Sequence, residues 1–405
     1  MKNLLFSFLL LFFLAFQSFA SQDRKVMIIG IDGTRSDALQ VANTPNIDSL
    51  IANGIYTFDA YHLGITVSGP SWSDILCGVW EAKHGVRGND YAGSNYTAWP
   101  YFPTRAKEVK PSLYCVQVTE WAPMSDQVYN DGWNQKIKVP DGVGFPTVAA
   151  AQTQLANPNL DAIFVYFDKV DLTGHSSGFS PSNPSYIAAI EAVDTWVGQV
   201  IAAVKSRPNY ANENWLILLI TDHGGIGTGH GGNTDQERHI WWIGSGNAIG
   251  KGQITTASDP GSYQMAGGVD TAKLRVTPVQ TDIGVTALHH LIYDTGIRPE
   301  NKSEWGLDGK SWLDDFTGIK NDDPRSLDIK VFPNPTTGLV TLWLETEGKK
   351  LNYEVMNANG QTVMKEENLS IANKLNIDLS AQGKGTYFIR LTVGDKQATK
   401  RVVLN

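Results

Sequence analysis

Asn214-Trp215-Leu216-Ile217-Leu218-Leu219-Ile220-Thr221-Asp222-His223, continued by a glycine-rich stretch through His230 to Gly232, is the segment from which the fold is read. From Trp215 to Ile220 apolar residues run without alternation, the pattern of a parallel strand covered on both faces. The run then stops at an acid and an imidazole. Ligand sites in open parallel sheets lie beyond the carboxyl ends of such strands. Asp222, His223 and, after the loop, His230 supply oxygen and nitrogen donors suited to zinc or a similar divalent ion. Taken alone, the trio fits a hydrogen-bonded structural pair equally well.

Two further segments repeat the design. Lys25 to Ile31 is an apolar strand that ends in Asp32-Gly33, and Asp161 to Phe167 is a third, followed by Asp168 and then Asp171-Leu172-Thr173-Gly174-His175. Asp171 and His175, with a glycine between them, are expected to converge on one ion from a loop. Pro184 to Arg207 reads as the amphipathic crossover helix that carries the chain from the third strand to the Trp215 strand. Thr44-Pro45-Asn46 opens a shorter helix that stops at Asn53-Gly54, Ile240 to Ile243 is a further strand, and Thr281 to Ile292 is helical. In that last helix His289-His290 reads as packing or surface rather than as a ligand pair.

Thr66-Val67-Ser68-Gly69-Pro70 precedes a helical pattern that ends at Cys77-Gly78. Ser68 thus falls at a helix N-terminus, where free N–H groups and the helix dipole favour an anion or alkoxide; capping of that helix is the simpler role. His84-Gly85-Val86-Arg87-Gly88-Asn89 then offers polar groups from a loop. Between Asn89 and Thr147 lie Tyr91, Tyr96, Trp99, Tyr101, Phe102, Trp121 and Trp133, some of them expected to wall a substrate pocket and others to pack the core.

The chain has 405 residues, 42% hydrophobic and 18% charged, enough for one large core and a smaller domain. Residues 1–20 carry Lys2, an apolar run from Leu4 to Phe16 and Ser18-Phe19-Ala20, the order of a secretory signal cleaved near Ala20. The run is shorter than the roughly 20 residues of a spanning helix, and no transmembrane segment is expected. The formal charge of −8 argues against a nucleic-acid-binding surface. An anionic substrate would then need local positive charge from bound metal. Cys77 and Cys115 fit one disulfide or two buried thiols equally.

From Asp328 onward apolar residues alternate, as in Val340, Leu342, Leu344 and again Tyr387, Ile389, Leu391, Val393, with Asn359-Gly360 as a hairpin turn. This predicts a small β-sandwich over residues 328–405, separated by a polar linker, 317–327, from a catalytic domain over 24–316. The fold class is α/β, a doubly wound, mostly parallel sheet, followed by that sandwich.

Together, Asp32, Ser68, Asp171, His175, Asp222, His223 and His230 resemble, in order and local spacing, the alkaline phosphatase superfamily, and most closely its nucleotide pyrophosphatase/phosphodiesterase branch. The resemblance runs by motif from about Lys25 to Phe316. It implies two divalent ions, zinc by analogy: one on Asp32, Ser68, Asp222 and His223, the other on Asp171, His175 and a distal histidine. That histidine is assigned to His230, with His239 as the fallback. Ser68 matches the nucleophile, with Thr66 as a weaker candidate, and Asn89 matches the asparagine that contacts a phosphoryl oxygen. The implied activity is hydrolysis of phosphate diesters or nucleotides through a phosphoseryl intermediate; the alternatives are a broad phosphomonoesterase and a metal-bound protein without turnover. Sulfatases of the superfamily place an arginine four residues after the nucleophile, where this chain has Trp72. Gly69 replaces the bulky residue common beside the branch's nucleophile, and Arg87 is the nearest basic residue for gripping a monoester. Val331-Phe332-Pro333-Asn334-Pro335, Gly385 to Leu391 and the ending Lys400-Arg401-Val402-Val403-Leu404 resemble the C-terminal sorting domain of type IX secretion. That resemblance implies the type IX machinery as a partner and a secreted or cell-surface location.

Overall fold

A computed structural model describes residues 23–313 and 329–404, apart from 130, 247–248, 256–257, 333–335, 345–348, 358–359, 371–373 and 395. The expected signal segment, the 317–327 linker and the Pro333-Asn334-Pro335 motif lie outside the described residues. The chain divides into two compact units, Met1–Thr317 and Gly318–Asn405.

The first unit is built on an eight-stranded sheet. Its strands are β1 (Asp23–Ile31), β2 (Gly54–Tyr61), β3 (Tyr114–Thr119), β4 (Gln135–Lys138), β5 (Leu160–Phe167), β6 (Glu213–Ile220), β7 (His239–Gly246) and β8 (Gly252–Gln253), in the spatial order β4-β3-β5-β1-β6-β7-β2-β8. From β4 to β6 the neighbours are parallel, whereas β7 runs antiparallel to both β6 and β2.

The unalternating apolar runs are explained by two cores. Val26 and Ile28 of β1, Phe164 of β5 and Leu216 and Leu218 of β6 face one core. Met27, Ile29, Ile163, Val165, Ile217 and Leu219 face the other, as the two-residue period of a strand requires. Helices Ser68–Cys77 and Thr281–Ile292 cover the first face; Pro45–Ala52, Phe145–Leu155 and Pro184–Lys205 cover the second. Pro184–Lys205 is long and apolar enough to cross a membrane by length and composition, and its stripe of Ile190, Val193, Val197, Val200 and Val204 is buried in the second core.

Several local expectations meet their physical reasons here. His289 and His290 are buried, the first bonded to Ser311 Oγ (2.7 Å) and the second to the Asn214 carbonyl (2.9 Å). Cys77 and Cys115 are both buried free thiols, and burial raises both pKa values, Cys115's to about 12. The aromatic stretch after Asn89 serves mainly as core: Tyr91, Tyr96, Tyr101 and Phe102 are buried, and Trp99, Trp121 and Trp133 pack against them half-buried. Of the two roles expected for this stretch, pocket wall and core, these residues take the second.

The second unit holds two antiparallel sheets. One comprises Lys374–Asp378, Leu339–Leu344 and Ile329–Phe332; the other comprises Thr362–Leu369, Leu351–Asn357, Gly385–Val393 and Lys396–Leu404. Alternate residues of both, among them Val340, Leu342, Ile377, Val355, Ile389 and Leu391, share one apolar core, as the alternation predicts. Asn359 of the expected hairpin turn lies outside the described residues, and the strands on either side of it pair antiparallel.

Candidate active site

Strands β5, β1 and β6 are adjacent, so their carboxyl ends deliver three acids side by side. Asp32 follows β1, Asp222 and His223 follow β6, and Asp171 and His175 follow β5. The last two are not on a loop as their glycine suggested. They lie one turn apart on a nine-residue helix, Lys169–Ser177, and the four-residue spacing places both side chains on one face. Ser68 is the first residue of its helix and is 7% exposed.

The donors fall into two groups, Asp32/Asp222/His223 and Asp171/His175/His230, each with its ligand atoms within 4.8 Å of one another. In the first, His223 Nε2 lies 3.3 Å from Asp222 Oδ2, 3.7 Å from Asp32 Oδ1 and 3.4 Å from Ser68 Oγ. In the second, His175 Nε2 lies 3.2 Å from Asp171 Oδ2 and 3.1 Å from His230 Nε2, which is 3.6 Å from Asp171 Oδ1. The stacked rings of His223 and His230, with centroids 3.9 Å apart, join the groups. His239 lies in neither group: it stacks on Tyr61 and contacts Asp59. Thr66, the weaker nucleophile candidate, has its hydroxyl engaged with Gly231 N–H and the Gly232 carbonyl.

Hydrogen bonding to the surrounding protein engages the outward atoms of this cluster and leaves the inward ones unpartnered or paired only within it. Each of the three imidazoles turns Nδ1 to a backbone carbonyl: His175 to Thr228 (2.9 Å), His223 to Gly224 (2.8 Å) and His230 to Thr66 (2.7 Å). With Nδ1 so engaged, Nε2 of each ring faces the cluster; that of His175 meets Asp171 Oδ2 and His230 Nε2 and becomes a cation ligand on giving up its proton. Asp32 Oδ2 accepts from Trp72 Nε1 (2.9 Å) and the Tyr166 hydroxyl (2.5 Å), and Asp222 Oδ1 accepts from Gly33 N and His223 N. Their other oxygens, Asp32 Oδ1 and Asp222 Oδ2, are buried without a hydrogen-bond partner, as is Asp171 Oδ1. Buried polar atoms are normally satisfied. Three orphaned carboxylate oxygens beside three inward Nε2 atoms therefore form a donor set that fits divalent cations.

The electrostatics agree. On the protein's own groups, burial pushes Asp32 up to about 7, with the Asp171 charge adding to it. Burial and then the Asp32 charge raise Asp222, and burial with the neighbouring His230 lowers His223. His175 is raised to about 9, chiefly by its bond to Asp171. Strong shifts gathered on facing groups are characteristic of functional sites.

Asn89 is exposed and accepts at Oδ1 from the Gly69 N–H (2.8 Å), which leaves Nδ2 as the amide's donor to any ligand. Gly69 is explained by this approach, because a Cβ there would meet the Gly88 carbonyl at 2.7 Å and Asn89 Oδ1 at 3.1 Å. Arg87 is exposed on the same loop. Two contributors escaped sequence reading, Trp72 and Tyr166. Trp72 had a signal, since it follows Ser68 by one helical turn. Tyr166 had a fainter one in Gly30, its β1 partner, where a Cβ would stand 2.4 Å from Trp72 Cη2.

The family model for type I phosphodiesterase / nucleotide pyrophosphatase matches residues 26–121 and 92–236, a span that includes both donor groups, Ser68 and Asn89. The chain belongs to this family. A secretion system C-terminal sorting domain matches residues 330–405. Family relatives include an uncharacterized pyrophosphatase/phosphodiesterase of Schizosaccharomyces pombe, 22% identical over 49% of this chain and 44% of the relative. The human bis(5'-adenosyl)-triphosphatase is 22% identical over 51% of this chain and 49% of its own length. The chain thus spans about half the length of these curated relatives. Among solved structures, a 2-O GAG sulfatase is similar with a TM-score of 0.55 at 14% identity, covering 94% of this chain and 85% of that one. A putative sulfatase from Bacteroides fragilis gives a TM-score of 0.53 at 14% identity, with 91% of each chain covered. At such identity the likeness speaks to the fold alone, an alkaline phosphatase-like sheet with a C-terminal β region.

Proposed function

We propose that this chain is an exported, metal-dependent phosphodiesterase or nucleotide pyrophosphatase that works through a phosphoseryl intermediate. The observation that carries the reading is the trio of orphaned, buried carboxylate oxygens facing three inward Nε2 atoms beside Ser68 Oγ. Asp32, Ser68, Asp222 and His223 would hold one ion; Asp171, His175 and His230 would hold the other. The mixed oxygen and nitrogen donors suit zinc. When bound, two such ions supply Lewis acidity to the attacking and leaving oxygens of an in-line displacement at phosphorus.

The chain's own groups then do the following. Ser68 Oγ gives its proton to solvent and attacks phosphorus, the ester oxygen departs, and water later cleaves the phosphoseryl bond to regenerate the hydroxyl. Gly69 N–H orients Asn89 so that Nδ2 donates to a non-bridging oxygen as charge redistributes. The family membership and the relatives' pyrophosphatase and triphosphatase names favour nucleotide diesters and anhydrides as substrates. The sorting domain supports export through type IX secretion to the surface or medium.

The test is hydrolysis of an aryl phosphate monoester and its matching diester by the wild-type protein and Ser68→Ala, each after chelation and after return of zinc. Zinc-restored diester turnover, lost in Ser68→Ala, is the expected result. Full activity in Ser68→Ala would refute the nucleophile, and preference for the monoester would favour the phosphomonoesterase reading.

A further inference from the structure

We infer that Thr66 is a positioning residue that sets the second ion's histidine, His230, against the nucleophile segment. The inference rests on the two-ion reading above. His230 sits in a run containing Gly224, Gly225, Gly227, Gly229, Gly231 and Gly232. Glycine gives such a loop large conformational freedom, so its own sequence does little to place an imidazole. Within the loop Ile226 and Gly229 bond each other, and beyond that pair His230 is placed from outside. Thr66 is fully buried and contacts three consecutive loop residues: its carbonyl accepts from His230 Nδ1 (2.7 Å), and its hydroxyl accepts from Gly231 N–H (3.1 Å) and donates to the Gly232 carbonyl (2.9 Å). Glu237 holds the far side of the loop through Gly232 N, Thr234 N and the Thr234 hydroxyl. Gly231 adopts φ +111°, open to glycine but not to most L residues, and its N–H is held in that conformation by the Thr66 hydroxyl.

The geometry has a chemical consequence. Thr66 lies two residues before Ser68, and Gly69 holds Asn89, so one stretch of chain, Thr66 to Gly69, sets the nucleophile, the phosphoryl-binding amide and one ligand of the other ion. Loss of the Thr66 hydroxyl frees Gly231 N–H and the Gly232 carbonyl, lets the loop turn, and withdraws His230 Nε2 from Asp171 Oδ1. Groups that orient metal ligands typically account for roughly 10- to 100-fold in metal affinity.

The test is zinc titration of the full chain against a chromophoric chelator for wild type, Thr66→Val and Thr66→Ser. In Thr66→Val one of the two zinc ions is expected to bind at least about tenfold more weakly, with the other changed less than about twofold. Thr66→Ser, which keeps the hydroxyl, is expected to restore the weakened ion, and excess zinc to restore turnover to Thr66→Val, which loss of a nucleophile would not allow. Two wild-type-tight ions in folded Thr66→Val, or equal weakness in Thr66→Ser, overturn the inference alone. A wild-type chain that binds fewer than two ions overturns the two-ion reading and the inference with it. If Thr66→Val does not fold, Thr66→Ser compared with Thr66→Ala decides the same question.

Discussion

Tyr166→Phe removes one oxygen atom from the core and nothing else. The hydroxyl donates to Asp32 Oδ2 at 2.5 Å, beside the 2.9 Å bond from Trp72 Nε1, and Tyr166 is 1% exposed. Phe preserves the ring contacts with Trp72 and Phe164, and Trp72 still satisfies Oδ2, so no new orphan appears. A hydrogen bond to a charged group contributes about 1.5–3 kcal/mol, which corresponds to roughly 10- to 100-fold in an equilibrium. The bond favours the ionised carboxylate, so its loss moves the Asp32 pKa further above its present value of about 7. An ion binding there must then displace a proton at neutral pH. Zinc competition titration is expected to show one ion weakened by that factor at pH 7, less so at pH 9, with the Asp171/His175/His230 ion unchanged. Thr66→Val is expected to weaken the opposite ion, so the two variants form a double dissociation. Equal weakening of both ions in Tyr166→Phe, or no change in either with the fold intact, would refute the assignment of Asp32 to one ion.

Two other outcomes follow from the same geometry. Gly69→Ala forces a Cβ against the Gly88 carbonyl and Asn89 Oδ1, and so displaces Asn89; diester kcat is expected to fall about 10- to 1000-fold with both zinc affinities retained, and unchanged kcat would count against Asn89. Chelated protein is expected to lose thermal stability between pH 7 and pH 9, whereas zinc-loaded protein stays flat. His175 is raised to about 9, so its stabilising contribution is complete below the ordinary imidazole value and is lost as pH climbs through 9. Asp168 is raised to about 8 by burial and then by Asp32, so the folded chain holds a proton the unfolded chain has released, and stability declines until pH passes 8. A melting temperature that rises over this range after chelation would contradict both shifts.

Sequence alone carried the site as far as chain-local signals reach. Asp32 and Asp222 were legible because each ends an apolar run, and Asp171 and His175 because their four-residue spacing survives whether the segment is loop or helix. Strand β4, Gln-Lys-Ile-Lys, was not legible: it is a polar edge strand whose place is set by pairing with β3. The Asp32 donors were missed for a related reason. Trp72 is 40 residues and Tyr166 134 residues from Asp32 in sequence, and only the β5-β1-β6 order with Gly30 between them brings both onto one oxygen. The aromatic stretch stayed divided between pocket and core because Tyr and Trp suit both, and the choice depends on which helices cover that face.

The arrangement also explains why the cluster sits where the fold is strongest. Three acids and three imidazoles gathered in a few ångströms oppose folding, since each orphaned buried carboxylate oxygen forgoes its hydration. The neighbouring strands β5, β1 and β6 bury apolar side chains on both faces, and β1 is hydrogen-bonded along both edges. A site at the edge of the sheet, beside a four-residue strand such as β4, would lack that reserve and would relax by letting water reach the carboxylates. The central strands hold the oxygens dry and aimed. Ion binding and folding thus draw on the same atoms, and under the two-ion reading added zinc is expected to raise the stability of the 23–313 region with the logarithm of its free concentration above each dissociation constant.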